Sequence, residues 1–271
     1  MALLIGLVIG SVLGLTGAGG SVFAVPLLIF LLDLSVPDAV GVAMGAVAAS
    51  AIYGTLNNWR SDSVLWIQAG LLGLSGVIAA PLGRWLGSYA DDKLILLGFS
   101  LLAITIAVRM LWQAHSDPDS SRVLRSSDLR SGERVAAICR MSPTGQFQWG
   151  MRCVSGLLIS GAVVGLLTGL FGVGGGFLIV PLLIYLTQVS IQQAIATSLV
   201  IIAAVSSSGF ASYLLEGSPI AISVLLLIAL GGIAGMAAGQ MLGRHLAGPR
   251  LQQIFALSLI LISVLTLLYK F

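Results

Sequence analysis

Gly17-Ala-Gly-Gly-Ser-Val-Phe-Ala-Val-Pro26-Leu-Leu-Ile-Phe30 aligns without gaps on Gly172-Val-Gly-Gly-Gly-Phe-Leu-Ile-Val-Pro181-Leu-Leu-Ile-Tyr185, 155 residues further along the chain. The same offset carries Asp33-Leu-Ser onto Gln188-Val-Ser and Ala39 onto Ala194. Leu82-Gly-Arg84-Trp-Leu86 matches Leu242-Gly-Arg244-His-Leu246 at an offset of 160, so a few residues were inserted between the two matches. Self-similarity at a fixed period marks a duplicated structural unit. Each copy opens on an apolar stretch too long for one helix, at about 2–32 and 153–187, with a glycine cluster inside it. Glycine costs about 1 kcal/mol at an interior helix position. The runs Gly17 to Gly20 and Gly172 to Gly176 therefore read as breaks.

Composition names the solvent. The 271 residues are 58% apolar and 8% charged, with 34 glycines and a mean hydropathy of +1.06, whereas soluble domains carry about 25% charged residues. A soluble fold could not cover its surface with so few. No Asp, Glu, Lys, Arg or His occurs between Ala2 and Leu32, Val154 and Leu215, Gly217 and Gly243, or Leu251 and Tyr269. Further apolar runs lie at about 39–58, 64–86, 93–112, 194–214, 219–243 and 251–269. They are continuous and rich in Leu, Ala and Gly, unlike the alternating ~10-residue strands of a membrane barrel. The expected fold is all-α: a polytopic membrane protein of two homologous repeats, each beginning with a Gly-broken helix.

The repeats are expected at 1–112 and 153–271, joined by a polar linker at 113–152. The segment His115 to Arg152 is rich in Ser, Asp and Arg, as exposed linkers are. Its cysteine, Cys139, and the following Cys153 fit neither a zinc site nor a CxxC motif, and read as incidental thiols. Met1 to Leu15 lacks the basic start of a secretory signal and belongs to the fold.

Crossing parity decides how the copies face. A broken segment that crosses once makes the repeats parallel; one that folds back as a hairpin makes them inverted. Inversion places Arg60, the linker, Arg244 and Arg250 on one face, against Arg84, Lys93 and Lys270 on the other. That separates charge better, puts the linker on the cytoplasmic side, and matches the inverted repeats common among secondary transporters. The inverted arrangement is favoured over the parallel one.

Catalytic chemistry has few candidates. The two histidines, His115 and His245, lie in the linker and at a helix end. HExxH, nucleophile-elbow and Walker motifs are absent, and no clustered ligands suggest a metal or cofactor. The expectation is a non-enzyme with no catalytic, metal or cofactor residues. No basic stripe for nucleic acid is visible. The expected partners are the lipid bilayer and a small anionic substrate, with a homo-oligomer left open.

The glycine breaks are the candidate site. A helix starting just after each cluster has initial N–H groups without intrahelical partners, costly in lipid. An oxyanion would accept those bonds at the positive end of the helix dipole. Two such tips are expected to meet near the bilayer midplane and hold one anion between them. Close packing of helices through small residues is the rival explanation of the glycines. Thr197 and Ser198, one helix after the second break, and Ser21 could add hydroxyls. Asn57 and Asn58 read as loop-facing, and Arg84 and Arg244 as snorkelling at helix ends. No buried carboxylate or histidine offers a proton relay, so movement down a gradient is expected.

The motif Gly-x-Gly-Gly-Gly-x-x-x-Val-Pro, complete at 172–181 and present as Gly-Ala-Gly-Gly-Ser at 17–21, together with Ala-Ile-Ala-Thr-Ser-Leu at 194–199, resembles the TauE/SafE sulfite exporter family (TSUP). The resemblance covers nearly the whole chain except the linker. It implies a multi-pass protein of a bacterial or archaeal plasma membrane that exports or takes up sulfite, organosulfonates, sulfate or thiosulfate. Carried over, the glycine motif falls on Gly172, Gly174, Gly175 and Gly176, and on Gly17, Gly19 and Gly20. Ser21 stands where the second copy has Gly176, which makes the pair asymmetric. The substrate-binding candidates are thus these glycines with Ser21, Thr197 and Ser198. An anion channel would show single-channel currents in place of saturable flux. A non-transporting membrane scaffold would lose assembly, with no flux to lose, on Gly174→Ala or Gly175→Ala.

Overall fold

Both glycine clusters interrupt helices. The computed structural model describes residues 1–17, 20–59, 64–116, 150–173, 175–187, 189, 191–216, 222–246 and 256–265. Gly19, Gly174 and most of the 113–152 linker lie outside the described residues, as does the side chain of Arg244. In chain order the helices are α1 (Ala2–Thr16), α2 (Gly20–Leu32), α3 (Val36–Asn58), α4 (Trp66–Tyr89), α5 (Asp92–Ser116), α6 (Met151–Phe171), α7 (Gly176–Thr187), α8 (Ile191–Leu215), α9 (Ile222–Leu246) and α10 (Ala256–Leu265). Among the described residues no strand occurs. Five helices are long and apolar enough to cross a membrane, at Val36–Asn58, Trp66–Tyr89, Cys153–Phe171, Gln192–Leu215 and Ile222–Leu242. The chain is a polytopic α-helical membrane protein.

Local signals account for the helix ends. Ser35 caps α3: its Oγ accepts from the Asp38 amide at 3.3 Å and donates to Asp38 Oδ2 at 2.6 Å, with Pro37 in the first turn. Trp59 and Trp66 meet edge-on at 4.7 Å at one end of the bundle, and Trp85 and Tyr89 at 5.0 Å at the other. Such aromatics favour the membrane–water interface. From Trp66 to Trp85 along α4 is about 28 Å at 1.5 Å per residue, close to the ~30 Å hydrocarbon core.

Helix pairing follows glycine. Gly6, Gly10 and Gly14 of α1 lie against the backbone at Ile228, Gly232 and Met236 of α9, in that order, so α1 and α9 run parallel. Gly161, Gly165 and Gly169 of α6 meet Leu72, Gly76 and Ala80 of α4 in the same way. In lipid, close van der Waals contact through small residues is what holds helices together, and a Cβ at any of these glycines would collide with the facing backbone. At the centre α3 and α8 are antiparallel: Gly41 faces Tyr213 while Gly54 faces Leu199. α3 runs with α9, since Gly45 meets Leu225 and Gly54 meets Met236; α4 runs with α8, since Gly76 meets Val205 and Arg84 meets Glu216.

These registers set the directions. α1, α3 and α9 run one way, and α4, α6 and α8 the other. At the offsets of 155 and 160, α6 corresponds to α1, α8 to α3 and α9 to α4, and each corresponding pair is opposed. The end where α1 starts is called the near end below, the other the far end. Cys153, buried at the start of α6, is disulfide-bonded, which corrects its reading as an incidental thiol.

Candidate functional site

Both breaks are built on the same backbone. α1 ends at Gly17 (φ 70°), whose amide donates to Leu13 O at 2.8 Å, and α6 ends at Gly172 (φ 68°), whose amide donates to Thr168 O at 2.8 Å. Left-handed backbone costs a residue with a Cβ about 1–2 kcal/mol, which is why glycine stands at each corner. Gly20 then backs onto Ile9 and Leu13 of the preceding helix α1, and Gly175 onto the corresponding Val164 and Thr168 of α6. The chain therefore doubles back, and α2 and α7 start inside the bundle. Gly175 O accepts from Leu178 and Ile179 at 3.0 and 3.2 Å, so the amides of Gly176 and Phe177 precede the helix's own ladder and have no intrahelical acceptor.

The corners do not meet. Gly17 lies under Ile195, one turn into α8 at the far end, and Gly172 lies under Val40, one turn into α3 at the near end. Tyr213 packs on Gly41, beside Val40, so the corners are separated by the stretch of α8 from Ile195 to Tyr213, about 27 Å at 1.5 Å per residue. The corners sit at opposite ends, while the helix starts that follow them, at Gly20 and Gly176, turn inward from each end. The reason is that each break is a return, whose corner sits at the far reach of a hairpin. α2 and α7 do pack against each other.

Gly17, Gly20, Ser21, Gly172, Gly175, Gly176, Thr197 and Ser198 are all buried. Ser198 reaches a glycine break, but that of the first copy: its Oγ lies 3.0 Å from Gly17 O and 2.8 Å from Ile195 O, and its single proton serves one at a time. Thr197 accepts from the Leu65 amide at 3.0 Å, capping the start of α4. Their counterparts at the near end are Val42 and Ala43, which carry no hydroxyl. Asn57 donates to Gln240 Oε1 at 2.8 Å at the exposed far end, and Asn58 turns back on Gly54 O at 2.9 Å. Among the described residues no cluster of His, Cys, Asp and Glu could hold a metal.

A sequence model of the sulfite exporter TauE/SafE family matches residues 2–266. The chain belongs to that family. It is 29% identical over 262 residues to a "probable membrane transporter protein" of Xylella fastidiosa strain Temecula1, covering 94% of this chain and 90% of that one. It is 24% identical over 269 residues to the "probable membrane transporter protein YunE" of Bacillus subtilis, covering 96% and 93%. A Methanocaldococcus jannaschii protein of the same printed kind, MJ0441, is 24% identical over 220 residues, covering 79% and 72%. No solved structure matches the chain. The TauE/SafE match makes this a member of a membrane transporter family.

Arg84, expected to snorkel, is buried at the near end. Its Nη2 and Nε donate to Glu216 Oε2 at 2.8 and 3.1 Å, and its Nη1 to Pro37 O at 3.3 Å. The guanidinium sits 5.0 Å from the ring centroid of Tyr213, whose hydroxyl donates to Asp38 Oδ1 at 2.8 Å. The cluster ties α4 to α8 and to the start of α3, immediately beside the Gly172 corner that Val40 covers. Breaking a fully buried pair on one side costs about 3–5 kcal/mol; here Glu216 keeps 36% of its side-chain exposure, which lowers that figure.

Proposed function

We propose that the protein is a plasma-membrane carrier, of bacterial or archaeal type, for small sulfur-containing oxyanions such as sulfite or organosulfonates, working as an exporter. The supporting observation is the duplicated glycine corner, at φ 70° and φ 68°, followed in each copy by a helix that starts inside the bundle. The amides at the start of α7 have no acceptor within their own helix, and a sulfur oxyanion presents several oxygens to such a cradle. The opposed directions of corresponding helices support an inverted repeat, in which one half exposes its start while the other closes. The candidate residues are Gly17, Gly19, Gly20 and Ser21 in the first copy and Gly172, Gly174, Gly175 and Gly176 in the second, with Thr197 and Ser198 closing the far corner. The arginine-rich face, with Arg60 and the linker, is assigned to the cytoplasm.

The test is a panel of sulfite, sulfonates, sulfate and thiosulfate with the purified protein. Binding should raise its thermal midpoint, and liposomes carrying it should show saturable flux of the same anion. Stabilisation by a cation alone, with none of the anions active, would overturn the reading. Facing is tested separately by cysteine labelling at Ser88→Cys, near end, with Cys139 and Cys153 replaced: an impermeant reagent added outside cells should label it. A disulfide at Cys153 argues the other way, since disulfides persist in oxidising compartments, and protection of Ser88→Cys would reverse the assignment.

A further inference from the structure

Arg84 is the one buried charged side chain among the described residues, in a bundle whose other buried polar groups are neutral. It lies on the wall of the second break: the backbone amide of Arg84 faces Gly169 of α6, three residues before the Gly172 corner, and its Nη1 reaches Pro37, three residues before the Val40 that covers that corner. Two of its donors, Nε and Nη2, converge on a single oxygen of Glu216, a geometry that equally suits an oxygen of sulfite or a sulfonate. The carboxylate comes from Glu216, the residue just past the end of α8, and is half-exposed, so it can leave toward water. The guanidinium is held from behind, by the Pro37 carbonyl and by the face of Tyr213, which Asp38 anchors. The cation is fixed and its anion is replaceable.

We propose that Arg84 is a substrate-binding residue, occupied in this structure by Glu216, and that the transported oxyanion takes the place of the Glu216 carboxylate and thereby releases α4 from α8 at the near end. This rests on the carrier reading above. Exchange of one oxyanion for another leaves the buried cation paired throughout, which spares the bundle an uncompensated charge. It also couples loading to opening, because the contact that holds the near end shut is the one the substrate replaces.

The experiment measures sulfite flux and its KM in liposomes for the wild type, Glu216→Gln, Arg84→Lys and the charge-neutral double variant Arg84→Gln with Glu216→Gln. The double variant carries no unpaired charge and should keep the wild-type melting temperature, so its flux reports on binding. Expected are a fall in KM for Glu216→Gln, a loss of flux of about tenfold for the double variant, and an intermediate loss for Arg84→Lys, which keeps the charge and loses the fork. A folded double variant that moves sulfite at the wild-type rate would reduce Arg84 to a structural lock and overturn the inference while leaving the carrier reading intact. A wild type that moves no anion of the panel would remove the carrier reading and this inference with it.

Discussion

The two glycine corners share a backbone and differ in what closes them. At the far end, Gly17 is covered by Ile195 and its carbonyl is bound by the Ser198 hydroxyl. At the near end, Gly172 is covered by Val40 and stands beside an ion pair, a cation–π contact and a carboxylate. Duplication kept the main chain, where only glycine serves, and let the surroundings diverge. One end is closed by neutral groups that separate at little cost, the other by charges that do not separate without a replacement.

The largest effect separates the ends through charge. Glu216→Ala strands the Arg84 guanidinium, and the thermal midpoint of the purified protein should fall by the equivalent of about 2–3 kcal/mol, less than for a fully buried pair. Gln240→Ala, which removes the partner of Asn57 at the exposed far end, should cost under about 1 kcal/mol. Equal losses from the two would show that the near-end pair is not the stronger closure.

Next come the corners themselves. Gly172→Ala forces a Cβ onto backbone and side-chain atoms of Val40, each 2.8 Å away, whereas Gly17→Ala meets only the side chain of Ile195. Both also bear the left-handed strain of about 1–2 kcal/mol. The expected order is therefore a greater loss of folded protein for Gly172→Ala. Ile195→Ala should recover part of the Gly17→Ala loss by clearing the space, and Val40→Ala should recover less at Gly172, because the Val40 Cα remains. Size-exclusion yield and melting temperature measure both. If Val40→Ala rescues as well as Ile195→Ala, the corners are equivalent after all.

How much of this is legible in the chain depends on whether the signal is local. A break inside lipid must be made by residues adjacent in sequence, and the match of 17–30 on 172–185 displays it twice. The parallel pairing of α1 with α9 is also written, in Gly6, Gly10 and Gly14 and their counterparts Gly161, Gly165 and Gly169 at the same offset of 155. That second pattern passes unnoticed among 34 glycines until the partner helix is known. Arg84 and Glu216 lie 132 residues apart in different copies, and no spacing rule connects them. Ser198 follows the second break in sequence, yet opposed helices carry it to the first copy's corner. Residues that act across an inverted pair are displaced from their neighbours in sequence by the inversion itself.

The smallest effect tests the far closure. The proton of Ser198 has two carbonyls within reach, Gly17 O in the other copy and Ile195 O in its own helix. Ser198→Ala removes the link to Gly17 but leaves its carbonyl within reach of nothing worse than an unmade bond, so the loss should be about 0.5–1.5 kcal/mol. Ala43→Ser is the mirror change, placing a hydroxyl at the corresponding site beside the near corner. If neutral closure defines the far end, Ser198→Ala should raise the rate of flux by easing separation there, with little change in KM. Ala43→Ser should leave flux unchanged, because the charges around Arg84 still hold the near end. Flux in liposomes distinguishes these: equal and opposite changes would mean that the two ends open by the same contact, and that the charges at the near end are incidental to the closure.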